Sequence, residues 1–271
     1  MLSKLTHFLA HFLIHFTLGL SFFSKAVSFI QKHELWKGMK QYGWLNRLSV
    51  LAGVVLGVKI FMMLMEFLLN IPLFNPIEMT SSIFHLFSKV GTESYQLFFL
   101  GGFKYLIVLA LEVLIIHFGG KTTEVLTGVP FHLTFKEFIA DQIRAVKVII
   151  QKYILELIVT IIIGIVLGIL GIDFLKTPLI FIAQCYFLGV VLMDNYFKQR
   201  GKTVRQSEEI IRRYAGLATA IGMVFYILLF IPIIGAVMGA CIAAVASTLA
   251  LHKLKPLEQG QTQKVEIGGY V

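Results

Sequence analysis

The 37 residues from Ala215 to Leu251 contain no Lys, Arg, Asp or Glu, and their centre reads Phe230-Ile231-Pro232-Ile233-Ile234-Gly235. At about 1.5 Å of helix rise per residue each half reaches roughly 25 Å, short of the ~30 Å hydrocarbon core that a membrane helix usually crosses. A turn in water would be polar, whereas this one offers only Pro and Gly, which open the hydrogen-bond ladder inside an apolar run. Such backbone survives at membrane depth only where protein or a wet cavity covers it. The segment is therefore expected to form a hairpin that dips into the bilayer or barely crosses it, with Pro232 and Gly235 shaping a re-entrant turn.

The rest of the chain agrees with a bilayer environment. Of 271 residues 57% are hydrophobic and only 14% charged, against about a quarter charged in soluble domains, and the mean hydropathy is +0.83. The net charge of +9 is dealt out between apolar runs instead of being gathered on one domain. That pattern orients a membrane protein and excludes nucleic acid as a partner.

Residues 3 to 32 read as one amphipathic helix, with Ser3, Lys4, His7, His11, Ser21, Lys25, Ser28 and Lys32 on one half and Phe8, Phe12, Phe16, Leu20, Phe23 and Ile30 on the other. A Lys-bearing face opposite a Phe-rich face suits a helix lying in the membrane interface; the competing reading is a span from Leu5 to Ser24. Leu48 to Leu73 and Leu97 to Phe118 have the length of transmembrane helices. Two shorter apolar helices follow, Leu157 to Ile172 and Thr177 to Met193, and then the charge-free hairpin. Lys and Arg number six before Leu48, five from 121 to 152, six from 198 to 213 and three at the C-terminus, while the three intervening connections hold one, one and none. One orientation places every basic segment in the cytoplasm. The expected fold is all-α and polytopic: an N-terminal interfacial helix, two long spans and two short hairpins in one membrane domain over residues 1–255, then a polar tail over 256–271.

Each expected long span carries a cation and an anion, Lys59 with Glu66 and Lys104 with Glu112. An isolated charge in hydrocarbon costs several kcal/mol, so such residues find partners. Antiparallel helices would set Lys59 near Glu112 and Glu66 near Lys104, either fixing helix register or lining a polar path. Lys37, Lys40 and Arg47, ahead of the first span, offer the charge an approaching dianion needs. They also fit ordinary positive-inside residues.

Catalytic and metal motifs are missing from the sequence. Gly119-Gly120-Lys121-Thr122-Thr123 lacks the first glycine of a phosphate loop, and neither a Gly-x-Ser-x-Gly elbow nor a His-Glu-x-x-His is present. Cys185 and Cys241 lie in apolar runs without a Cys-x-x-Cys. His7, His11 and His15 recur every four residues without an accompanying Glu or Cys, which reads as a solvated helix edge. No enzyme activity, metal or cofactor is expected.

Asp194-Asn195-Tyr196, the basic loop ending Val204-Arg205-Gln206-Ser207, Ile211-Arg212-Arg213-Tyr214-Ala215-Gly216-Leu217 and the Phe230 to Gly235 turn occur in that order. In kind and spacing they resemble the CysZ-type sulfate permease and etoposide-induced-protein family, over residues 12 to about 253. Near the N-terminus, Leu35-Trp36-Lys37 followed by Asn46 resembles the family's Leu-basic-basic stretch and its Asn, with Trp36 in place of one basic residue and Tyr42 where Pro-Leu-Leu usually begins. The resemblance implies two long helices, two partly penetrating hairpins, homo-oligomerisation and placement in a bacterial inner membrane. It also implies that Lys37 meets a small anion such as sulfate; Lys37, the matching Asn46 and, from the charge argument, Arg47 are the candidate anion-binding residues. The expected function is thus an inorganic anion permease or channel-like protein without its own ATPase; the alternative is a membrane scaffold or assembly protein that transports nothing.

Overall fold

The computed structural model describes residues 2–38, 103–231 and 234–267. Among them all regular structure is helical, and the chain divides into two compact units, Met1–Lys37 with Leu111–Val271, and Gly38–Ala110. In the second unit the described helix is α2, Phe103–Ala110. Its Lys104 is buried, with Nζ 5.3 Å from the centre of the Tyr105 ring.

The first unit contains α1 (Leu2–His33), α3 (Glu112–Thr127), α4 (Phe135–Leu170), α5 (Lys176–Lys198), α6 (Val204–Arg213), α7 (Ala215–Leu228) and α8 (Ile234–Ile267). Four helices are long and apolar enough to cross a membrane: Leu9–His33, Phe135–Leu170, Asp173–Lys198 and Ile234–Leu254. Two further pairs, α2 with α3 and α6 with α7, reach that standard only when each pair is taken together across its break. The protein is polytopic and all-α, as the apolar runs require.

At the centre lies α7, packed against α1, α5 and α8. Its sequence is small and apolar, and Leu217, Ala218, Ala220, Ile221 and Phe225 are fully enclosed. Glycine makes this closeness possible. A Cβ on Gly222 would lie 1.8 Å from the Cys185 carbonyl oxygen, and one on Gly189 would lie 1.8 Å from that of Ala218, so α5 and α7 touch backbone to backbone. The same device docks α1, where a Cβ on Gly216 would meet the Phe12 carbonyl oxygen at 2.0 Å. Small residues at a helix crossing are what association in lipid favours, because tight packing replaces the hydrophobic drive available in water.

Several helix ends explain themselves locally. Thr134 accepts from the Glu137 N–H, and Glu137 accepts in return from the Thr134 N–H, a reciprocal cap that starts α4. Its end is Gly171, in the left-handed region at φ 67°, with the Ile172 N–H closing onto the Leu167 carbonyl at 3.0 Å. Because the Thr134 cap is solvent-exposed and local, Thr134→Ala is expected to cost about 1 kcal/mol, lowering the melting midpoint of purified protein by roughly 2–4 °C.

The helix bounds differ from the sequence reading in four places. The expected Leu157–Ile172 helix is the last part of the 36-residue α4, which begins at Phe135 because Lys136, Arg144, Lys147 and Lys152 sit in an unbroken helical sequence. The expected Leu97–Phe118 span, over its described part, leaves helical geometry at Leu111. The basic segment from 198 to 213 contains α6, started by a reciprocal cap between Thr203 and Gln206. The helix α8 continues to Ile267, through residues read as a tail.

The charge-free hairpin is present as α7 and α8, with turn residues Leu229–Ile231 between them and Pro232 outside the described residues. Only 14 residues long, α7 measures roughly 21 Å, less than the hydrocarbon core. It meets α6 at a bend of 96°. At the turn the Gly235 N–H donates to the Ile231 carbonyl at 3.0 Å, and a Cβ there would strike the Leu228 carbonyl oxygen at 1.9 Å.

Candidate functional site

A layer of charge is buried where α3, α4, α5 and α6 come together. From α4 come Asp141, Arg144 and Lys152, and from the last turns of α5 come Asp194, Asn195 and Lys198. The start of α3 contributes Glu112, and Ser207 and Glu208 project from α6. A cation in the last turn of a helix is also favoured by the backbone dipole, which suits Lys198.

Two pairings organise the layer. The Lys198 ammonium donates to Glu112 Oε1 at 2.8 Å and faces Asp141 Oδ2 at 3.6 Å, and both the Lys198 and Glu112 side chains are more than nine-tenths buried. Arg144 holds Asp194 with two parallel bonds, Nε to Oδ2 at 3.1 Å and Nη2 to Oδ1 at 2.9 Å. Its Nη1 also donates to the Lys202 carbonyl, and the Ser207 hydroxyl donates to Asp194 Oδ1. A planar guanidinium matches a carboxylate in this way, and a lysine would not. Deeper along α4, Lys152 pairs with Glu208. Four carboxylates therefore face three cations, and removing one partner would leave the other charge uncompensated.

A cavity of about 10 Å³ lies inside this layer, lined by Glu112, Ala145, Val148, Val191, Asp194, Asn195 and Lys198. It has room for about one water molecule. Asn195 accepts a 3.0 Å bond from the Gln199 amide at Oδ1, while its buried Nδ2 has no hydrogen-bond partner among the described residues. Gln199 extends the network to α3 by donating to the Ile116 carbonyl at 3.4 Å and accepting from Thr123. The adjoining Arg200 stacks 3.5 Å above the Tyr196 ring, and burial pulls its guanidinium below the ordinary arginine value.

The residues singled out from sequence fall in different places. Glu112 is part of the layer, with Lys198, the first cation of the basic segment from 198 to 213, as its partner in place of the expected Lys59. Lys59, Glu66, Asn46 and Arg47 lie outside the described residues, so their expected pairing and anion contact do as well. Lys37 is exposed just after α1 and is paired with Glu34. His11 and His15 approach through Nε2 at 3.1 Å, and among the described residues no group of three or more His, Cys, Asp or Glu is placed to hold a metal ion. Asp141, Arg144, Asp194 and Ser207 were not picked out as a site. The available signal was Asp194-Asn195 ending an apolar run, one helix away from Asp141 and Arg144 at a spacing that puts them on neighbouring faces.

Apolar helices of spanning length around a buried ionic layer define a multi-pass integral membrane protein. No family model, curated protein or solved structure matches the chain.

Proposed function

We propose that this chain is an inner-membrane permease or channel-like protein for a small inorganic anion, sulfate foremost, driven by gradients and not by an ATPase of its own. The observation that carries the reading is a cation cluster between the helices: the Lys152 and Lys198 side chains are buried and Arg144 is partly buried, each held by a carboxylate. Ionisable residues at such positions are expensive and are kept where they serve ion paths or fix helix packing. A dianion would take over donors that Glu112 and Asp194 now occupy, helped by the amide of Asn195. The choice of sulfate rests on the sequence resemblance.

The basic segments would face the cytoplasm in this reading. A row of exposed isoleucines on α4, among them Ile143, Ile150, Ile154, Ile161 and Ile165, would meet lipid or a second copy. Uptake of radiolabelled sulfate into proteoliposomes, set against chloride and phosphate, tests the proposal. Sulfate flux well above that of protein-free vesicles is expected. Flux at the background level for all three anions would overturn it in favour of an assembly or scaffold protein, for which the exposed α4 face is also suited.

A further inference from the structure

The helix α6 stands apart from its neighbours in both direction and chemistry. It meets α7 at 96°, so with α7 entering the bilayer α6 runs along the membrane surface. One face is anchored on the protein: Ser207 and Ile211 are buried, Ser207 donates to Asp194, and Glu208 pairs with Lys152. On the opposite face Arg205, Glu209, Arg212 and Arg213 are all exposed, and they fall within roughly one quadrant at 100° per residue. Glu209 is engaged by Arg213 at 3.3 Å. Arg205 and Arg212, two helical turns apart, have no ion pair among the described residues, and the exposed Lys202 lies just ahead of them.

We propose that the outer face of α6, through Arg205 and Arg212, binds the phosphate headgroups of anionic lipid. The two arginines stand about 10 Å apart along the axis of a convex exposed face, not around a concave pocket that would enclose one small anion. They suit neighbouring headgroups in a surface, where each cation attracts anionic lipid over about a Debye length. The anchored inner face adds specificity of position, because Asp194 and Lys152 hold the helix at the level where the α7 span begins. The inference depends on the chain being in a membrane and is independent of what the protein transports.

The test uses the full chain reconstituted in phosphatidylcholine bilayers, with spin-labelled phosphatidylglycerol or phosphatidylcholine reporting which lipid is immobilised at the protein surface. A relative association constant of about five in favour of phosphatidylglycerol is expected for the native chain. It should fall towards one in R205Q/R212Q, with the number of immobilised phosphatidylcholine molecules unchanged. The control K136Q/K147Q removes the same net charge from the exposed face of α4 and should keep the preference. An equal loss in both variants, or no loss in R205Q/R212Q, would overturn the assignment. Raising salt from about 0.01 M to about 1 M should abolish the preference of the native chain, which needs no variant; a salt-independent preference counts against the proposal. Displacement by soluble glycerol phosphate at matched phosphate concentration would show a free-anion site and would also overturn it.

Discussion

Gly222→Leu is expected to leave almost no protein that elutes as a single folded species from detergent, and Gly222→Ala to melt well below the native chain. Alanine normally gains up to about 1 kcal/mol over glycine inside a helix, because it restricts the unfolded chain. At this position the new Cβ would lie 1.8 Å from the Cys185 carbonyl oxygen and 2.7 Å from the Gly189 nitrogen. Both are backbone atoms, so no side-chain rotation relieves the clash, and α5 and α7 must separate. Overpacking typically costs 1–3 kcal/mol where side chains can yield, which sets about the least that alanine should cost here. Separation would also loosen α1, since Gly216 holds the same central helix against Phe12. Gly168→Ala supplies the comparison: nothing lies within 4 Å of its Cβ position, so it should be neutral or slightly stabilising. Thermal unfolding in detergent reads both, and equal midpoints for the two alanine variants would refute the close-crossing account.

The same crossing shows what the sequence made visible and what it hid. Absence of charge from Ala215 to Leu251 located the hairpin and its turn, because in a membrane that pattern has few other solutions. The amphipathic run from residue 3 to 32 likewise appears as one helix, Leu2–His33, with His7, His11, Ser21, Lys25, Ser28 and Lys32 exposed; of the expected apolar face Phe23 is buried but Leu20 is exposed, and the buried Phe22 and Ala26 were not assigned to it. Periodicity reports which face is apolar. It does not report which glycines meet another backbone, so Gly189 and Gly222 look no different in the sequence from Gly168.

Charged segments were the harder part. In the sequence, residues 121 to 152 are legible only as a basic segment without assigned structure, but Lys and Arg are good helix formers, and Asp141, Arg144 and Lys152 find partners on other elements. The Thr134-x-x-Glu137 cap was a local sign that the helix begins there. For Glu112 the sequence supplied the need for a partner but not its identity: depth counting compares only the two expected long spans, whereas packing brings the end of α5 beside the start of α3. Which helix neighbours which is a tertiary property, and a single sequence carries it only weakly.

Lys198→Met is expected to be the most destabilising single change in the ionic layer. The lysine holds Glu112 at 2.8 Å and faces Asp141 at 3.6 Å, so its loss leaves one enclosed carboxylate and one half-buried carboxylate without their cation. Removing one partner of a buried pair costs about 3–5 kcal/mol, mostly the penalty for stranding the remaining charge. For a chain of this size that corresponds to a fall in melting midpoint of roughly 10 °C. The sign of the coupling distinguishes stranding from lost packing. Glu112→Gln added to Lys198→Met removes the more deeply buried carboxylate, so the double variant should melt above the Lys198→Met single variant. If methionine only damaged packing, the second change would lower stability further or leave it unchanged. The exposed Arg213–Glu209 pair provides the scale: breaking it should cost no more than about 0.5 kcal/mol, because solvent screens both charges. Midpoints for Lys198→Met and Arg213→Gln within ~2 °C of each other would show that Lys198 carries no special burden, and the buried layer would lose its role as the organising feature of the site.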